Sequence, residues 1–191
     1  MTASDPTRTL AEAVLTRSSS SKVTEQAPGS DEVERLLRLA ATAPDHCGLA
    51  PWRVIEVRGD ARERVGDALR RAALAAGTPD EKAAALATKP RRAPLLLAIV
   101  VSYRPSAKAE RWEQEATAAG VAHLLTLLLD DAGWGVMWRS GPWTRTPEVA
   151  AAHRLGPQEA LLGWLYVGGL PEGQRRPRRD RLDVRDHLSA L

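Results

Sequence analysis

A single cysteine, Cys47, stands in the 191 residues, which excludes an internal disulfide and a cysteine-based zinc site. Lysine occurs only at 22, 82, 89 and 108, so the basic side of the chain is nearly all arginine. Arginine's planar fork suits carboxylate and phosphate, although an arginine- and alanine-rich sequence equally fits a coding bias. No run of about eighteen apolar residues occurs, so no membrane span is expected. Met1 to Arg8 lacks the basic-then-apolar order of a secretory signal, and a cytoplasmic location is the expectation. There is no G-x-G-x-x-G, no P-loop and no G-x-S-x-G. His46, His123, His153 and His187 show no zinc-protease spacing with the acids, and no metal is expected. A net charge of +3 does not by itself imply nucleic acid. No internal repeat is visible.

The chain does have a hydrophobic content of 43%, enough for a core, and the length of one domain. Residues 1–9 read as a poorly tied tail, 10–191 as the domain, with a Pro- and Arg-rich arm from about 170. Leu10, Val14 and Leu15 share a helix face. The serine run 18–21 reads as a loop with little to bury. Asp31 is placed to cap a helix whose Val33, Leu36, Leu37, Ala40 and Ala41 form a core stripe ended by Pro44. Residues 52–57 read as a strand, 61–76 and 79–88 as helices, and 94–101 as a fully buried strand. The longest helix spans 109–132 and is apolar nearly all round from Val121 to Leu129. Such a helix needs cover on every side, which a domain this small can hardly supply, so a partner subunit is expected. Gly135 to Trp138 is a short strand, Pro147 starts a helix, and Ala160 to Val167 is another apolar strand. Helices and strands mixed in this irregular order predict an α+β layered sandwich, a mixed or antiparallel sheet flanked by helices.

Chemistry-bearing residues gather in few places. Asp45-His46 follows Pro44 where a helix gives way to a strand, and loops of this kind carry function. His46 is either solvated or reaches an anionic or ring-heteroatom partner. Cys47 reads as a buried small residue or as a thiol near a redox cofactor, His123 as a core or interface histidine, and His153 and His187 as surface residues. Trp134, Trp138 and Trp143 either wall a site or pack the core.

The segments Thr42-Ala43-Pro44-Asp45-His46-Cys47-Gly48-Leu49-Ala50-Pro51-Trp52, Arg17-Ser18-Ser19, Arg111-Trp112-Glu113-Gln114-Glu115 and Trp138-Arg139-Ser140-Gly141 occur in one order on the expected elements. Together, over roughly residues 10–170, they resemble the FMN-dependent nitroreductase family, in particular its compact NAD(P)H nitroreductase subgroup. The resemblance implies an intertwined homodimer with FMN at the interface. It implies reduction of nitroaromatic or quinone-like acceptors by ping-pong hydride transfer from NADH or NADPH through flavin N5, with no side-chain nucleophile. By position, Arg17, Ser18 and Ser19 would contact the FMN phosphate or ring edge. Thr42 and His46 would contact it from the other subunit. Trp138, Arg139, Ser140 and Gly141 would run beside the ring. Leu128, Leu129, Asp130, Asp131, Ala132 and Gly133 match a stretch assigned to nicotinamide nucleotide or substrate.

The chain departs from the pattern where Ser18 replaces a second arginine, where Ser21 precedes Lys22, and where Ala50 replaces Asn or Gln. These departures leave a rival reading, a flavin-binding or sequestering protein with little turnover. The segment Arg175-Arg176-Pro177-Arg178-Arg179-Asp180-Arg181 is a solvated tail, a contributor to the cofactor site or partner subunit, or, least in keeping with the charge, a nucleic-acid arm.

Overall fold

The apolar run expected to be a buried strand forms β2 (Leu95–Ser102), with all eight residues buried. It is one of two central strands in a four-stranded sheet of order β1-β2-β4-β3. The others are β1 (Trp52–Arg58), β3 (Trp134–Arg139) and β4 (Glu159–Gly169). Every pairing is antiparallel, which resolves the expected mixed or antiparallel sheet to the second kind. The computed structural model describes residues 9–173 and 182–191.

Alternation along β2 sends its side chains into two cores. Leu95, Leu97 and Ile99 face α2 (Ser30–Ala40) and α5 (Arg111–Asp131), where Leu36, Val121, Leu125 and Leu129 meet them. Leu96, Ala98 and Val100 face α3 (Ala61–Ala75) and α6 (Pro147–Ala152), where Val65, Leu69 and Val149 close the second layer. The result is the expected α+β sandwich: helices on both faces of an antiparallel sheet. α1 (Leu10–Thr16) and α4 (Asp80–Ala87) complete the α-helices among the described residues. Among the described residues no helix is long and apolar enough to cross a membrane.

Several local expectations change. Thr9, assigned to the tail, is the N-cap of α1, exchanging side-chain bonds with Glu12 in a capping box. The cap of α2 is Gly29, while Asp31 and Glu32 lie in the first turn, where they favour the positive helix end. That helix stops at Ala40, short of Pro44, because the next residues turn through Ala43 N–H donating to Ala40 O. The serine loop buries more than expected: Ser18 and Ser20 are both buried. Ser20 N–H donates to Val136 O, and the loop lies over β3 and β4 where the sheet carries Gly135 and Gly168 in register. A Cβ at Gly135 would stand 2.8 Å from Val23 Cγ1, so only glycine lets the loop sit this close.

His153 is not a surface residue. Trp164 Nε1–H donates to its Nε2 at 2.9 Å, so its Nδ1–H donates to Val149 O at 2.8 Å. Burial holds it below the usual histidine range, as a neutral ring in the core. Cys47 is exposed rather than buried, in left-handed backbone at φ 70°.

Candidate functional site

The predicted site residues fall into three groups. The first lies on the β3 edge. The loop after α1 runs antiparallel to β3, with Ser20 against Val136 and Thr24 against Gly169, and this directs Arg17, Ser18 and Ser19 toward the Trp138–Gly141 end of the strand. Arg17 is the half-buried C-cap of α1. Trp138 packs on the α5 face, its ring tilted against His123 with centroids 5.1 Å apart. Arg139 points to the opposite face, with its guanidinium 5.3 Å from the Tyr166 ring centre. Its Nε is buried and has no hydrogen-bond partner among the described residues. An unmatched buried donor on a cation is costly, of order 1–3 kcal/mol, unless something outside the chain accepts from it. Ser140 and Gly141 follow, both exposed, and Gly141 O accepts from Thr144 N–H and Oγ1–H.

Gly163 makes this strand end possible. A bulge at Leu162 shifts the β2–β4 register between Ile99 and Val100. Gly163 then sits at φ 149°, under Trp138 and Arg139, where a Cβ would stand 2.6 Å from Trp138 Nε1.

The second group lies between α2 and β1. Thr42 Oγ1–H donates to Leu39 O. His46 Nδ1 meets Glu113 Oε1 at 2.9 Å, its side chain half exposed. Glu113 sits in the first turn of α5, and the Glu110 backbone N–H, then His46, hold its carboxyl below the usual range. Asp45 accepts from Ala50 N–H, bracing a loop in which Cys47 and Ala50 both take positive φ. Strain of this kind, held by surrounding bonds, marks functional loops.

The third group, Leu128 to Gly133, is the end of α5 and the turn into β3. Leu129 and Asp130 are buried; Leu128, Asp131, Ala132 and Gly133 are half-buried. The length of β3, about 17 Å, separates this turn from Arg139. The first two groups lie at one end of the sheet but beside opposite edge strands, β3 and β1. Three strand spacings, about 14 Å, stand between those edges. One chain therefore does not bring its three groups together.

The tryptophans do not form one wall. Trp134 and Trp138 pack on the α5 face, Trp134 donating to Glu32, whereas Trp143 packs on the α3 face. His123 is exposed on the open side of α5, beside Trp138. Sequence reasoning passed over Tyr166 and Arg92. Burial pushes the Tyr166 hydroxyl up to about 12, against the opposing charges of Arg139 and Arg92, so it is a neutral phenol with two cations near it. The available signal was a polar aromatic inside an otherwise apolar strand.

Residues 14–169 match the nitroreductase family. The chain belongs to that family. Membership makes it an oxidoreductase by family. It is 34% identical over 157 residues to "Putative NAD(P)H nitroreductase YdjA" of Escherichia coli K12, covering 82% of this chain and 86% of that protein. A nitroreductase-like family protein from Bacillus cereus superposes with a TM-score of 0.83 at 20% identity over 98% of both chains. The FMN- and NADPH-dependent nitroreductase NfnB from sphigopyxis sp. strain HMH superposes at 0.72 and 18% identity, over 96% of this chain and 99% of that one. These likenesses account for the layered fold and for the order in which the loop after α1, the α2–β1 loop and the end of β3 follow one another.

Proposed function

We propose that this nitroreductase-family chain is an FMN-dependent NAD(P)H oxidoreductase of the cytoplasm, working as a homodimer on nitroaromatic or quinone-like acceptors. The observation that carries the reading is Arg139, whose Nε is buried at the end of β3 without a partner among the described residues. The residues present fit a flavin. Arg139 and Arg17 bring positive charge, Ser18 and Ser19 bring hydroxyls, and Ser140 and Gly141 bring backbone amides to one sheet edge. Thr42 and His46 lie beside the other edge, so a second copy completes the set. FMN, when bound, supplies N5 as hydride acceptor and thereby ping-pong transfer from NADH or NADPH to the acceptor.

The chain's own task is binding and electrostatics. Arg139 and Arg17 favour an anionic ring and phosphate. Glu113 fixes the His46 ring through Nδ1, and the half-exposed side chain leaves Nε2 available to a ligand. Trp138 covers the α5 side of the strand end. The Leu128–Gly133 turn is our candidate for the nucleotide or acceptor end of the slot, again reached across the dimer. The boundary of the domain at residue 10 and an arm from about 170 belong to the same reading; the Arg175–Arg181 cluster lies outside the described residues.

An absorption spectrum of the purified protein followed by anaerobic titration tests this. The expected result is a flavin spectrum bleached by NADH or NADPH and restored by a quinone. A yellow protein that neither nucleotide bleaches would select the sequestering alternative, and a colourless one that takes up no FMN would end both readings.

A further inference from the structure

The outward face of α3 meets the end of α6 at an open groove of about 420 Å³, lined by Arg64, Asp67, Arg71, Ala151, Ala152 and Arg154, its four charged residues all exposed. Arg64, Asp67 and Arg71 sit at i, i+3 and i+7, so one helix face presents all three, over about 10 Å of axis. Neighbouring arginines are committed elsewhere. Arg62 donates to Ala93 O, Arg70 pairs with Asp80 at 2.7 Å, and Arg91 faces Glu63 at 3.7 Å. The guanidinium groups of Arg64, Arg71 and Arg154 pair with no carboxylate among the described residues. Asp67 is the only acid in the lining, and the groove carries a formal charge of +2, three arginines less one aspartate.

Arg154 adds an independent sign. Leu155 N–H donates to Ala150 O and Arg154 N–H to Ala151 O, the double bond that ends a helix with one left-handed residue. That residue is normally glycine; here it is Arg154, at φ 50°. Arg53 braces it by donating to the Arg154 carbonyl at 3.5 Å. Glycine would end the helix without strain. Only a side chain at this position brings a third guanidinium to the groove.

We propose that this groove binds a small molecule carrying two phosphate groups, held by Arg64, Arg71 and Arg154. Guanidinium forks grip phosphate oxygens in pairs, and their spread along the helix suits two linked groups better than one. The volume falls in the usual range for small-ligand sites. Asp67 would order the guanidiniums or accept from a ligand hydroxyl. None of the residues assigned to flavin lines the groove, so this site stands apart from the redox reading.

Titration calorimetry of the purified full-length protein with inorganic pyrophosphate, at ionic strength matched with sodium chloride, tests the proposal. Saturable binding at one site per chain is expected. Arg71→Ala and Arg154→Gly should each weaken it about tenfold or more, the effect of losing one charge-assisted contact. Arg154→Gly should also raise the melting temperature, because the strain goes with the side chain, and both variants should keep their flavin absorbance. No saturable heat with the parent protein, or unchanged affinity in both variants, would overturn the site. A lowered melting temperature in Arg154→Gly would overturn the strain argument on which Arg154's part rests.

Discussion

Glu159 gathers more bonds than any other carboxylate at this end of the sheet. It accepts from Arg53 Nε at 2.6 Å and Nη2 at 2.8 Å, from Ser102 Oγ–H and from Gly156 N–H. These bonds, the Arg53 fork first, hold its carboxyl down at about 2, from an ordinary value of 4.5. Folding therefore favours the ionised form. The stability this contributes is fully present above about 4.5 and is lost as pH falls through about 2. Glu159→Gln should be less stable than the parent by about 1.5 kcal/mol at neutral pH. We take the low end of the range for a charged hydrogen bond because the Arg53 side chain is 39% exposed. Denaturant unfolding from pH 7 to pH 2 should show the gap closing as the parent's carboxyl protonates. A gap that stays constant over that range would remove Glu159 as the source. The pair ties β1 to β4, and Arg53 also donates to the Arg154 carbonyl, so it steadies the backbone at Arg154.

At the scale of elements, the bulge in β4 is the feature on which the proposed flavin site turns. Gly163 combines a left-handed φ with Trp138 and Arg139 lying directly over it. Gly163→Ala would strain the backbone and push the end of β3 outward, at about 1–3 kcal/mol. It should lower the unfolding midpoint and weaken FMN binding together. A variant destabilised to that extent that keeps parental FMN affinity would show that the end of β3 does not hold the flavin. Nothing in the sequence announced that bulge, because Gly163 lies within an apolar run that reads as an unbroken strand. The strands and long helices themselves were legible, since β2 is apolar on both faces and α2 carries a clear stripe, and burial decides both. Helix ends were less so: Gly29 caps α2 by backbone shape alone, with no side-chain bond to betray it. His153 differs from its surface reading because it stands four residues after Val149 on one helix face and so points the same way. The family was legible through the motifs in the loop after α1, the α2–β1 loop and the end of β3. Their separation on opposite edges of the sheet was not, because it follows from strand order, which the sequence pattern leaves open.

For the whole molecule the decisive quantity is apolar surface left uncovered by one chain. Val121, Ala122, Leu125 and Leu129 of α5 are buried within the protomer, whereas Leu124, Leu127 and Leu128 are only half-buried. Leu10, Val14, Leu15 and Trp112 are exposed by 74, 55, 74 and 68%. In the proposed dimer a second copy would cover such surface and complete the set of Thr42, His46, Arg17 and Arg139. The two leucine positions of α5 therefore separate folding from assembly. Leu125→Ala should cost about 2–5 kcal/mol in any assembly state, because its cavity opens inside the protomer. Leu128→Glu should leave the protomer folded but place an unpaired charge in the contact between copies. Light scattering should then report a dimer for the parent and for Leu125→Ala, and a monomer for Leu128→Glu that has lost its FMN. The parent's melting temperature should rise with protein concentration, since association stabilises the folded form by mass action, and that of Leu128→Glu should not. A parent protein that scatters as a flavin-loaded monomer would leave the two edges of the sheet with nothing to join them, and the shared site would fall with it.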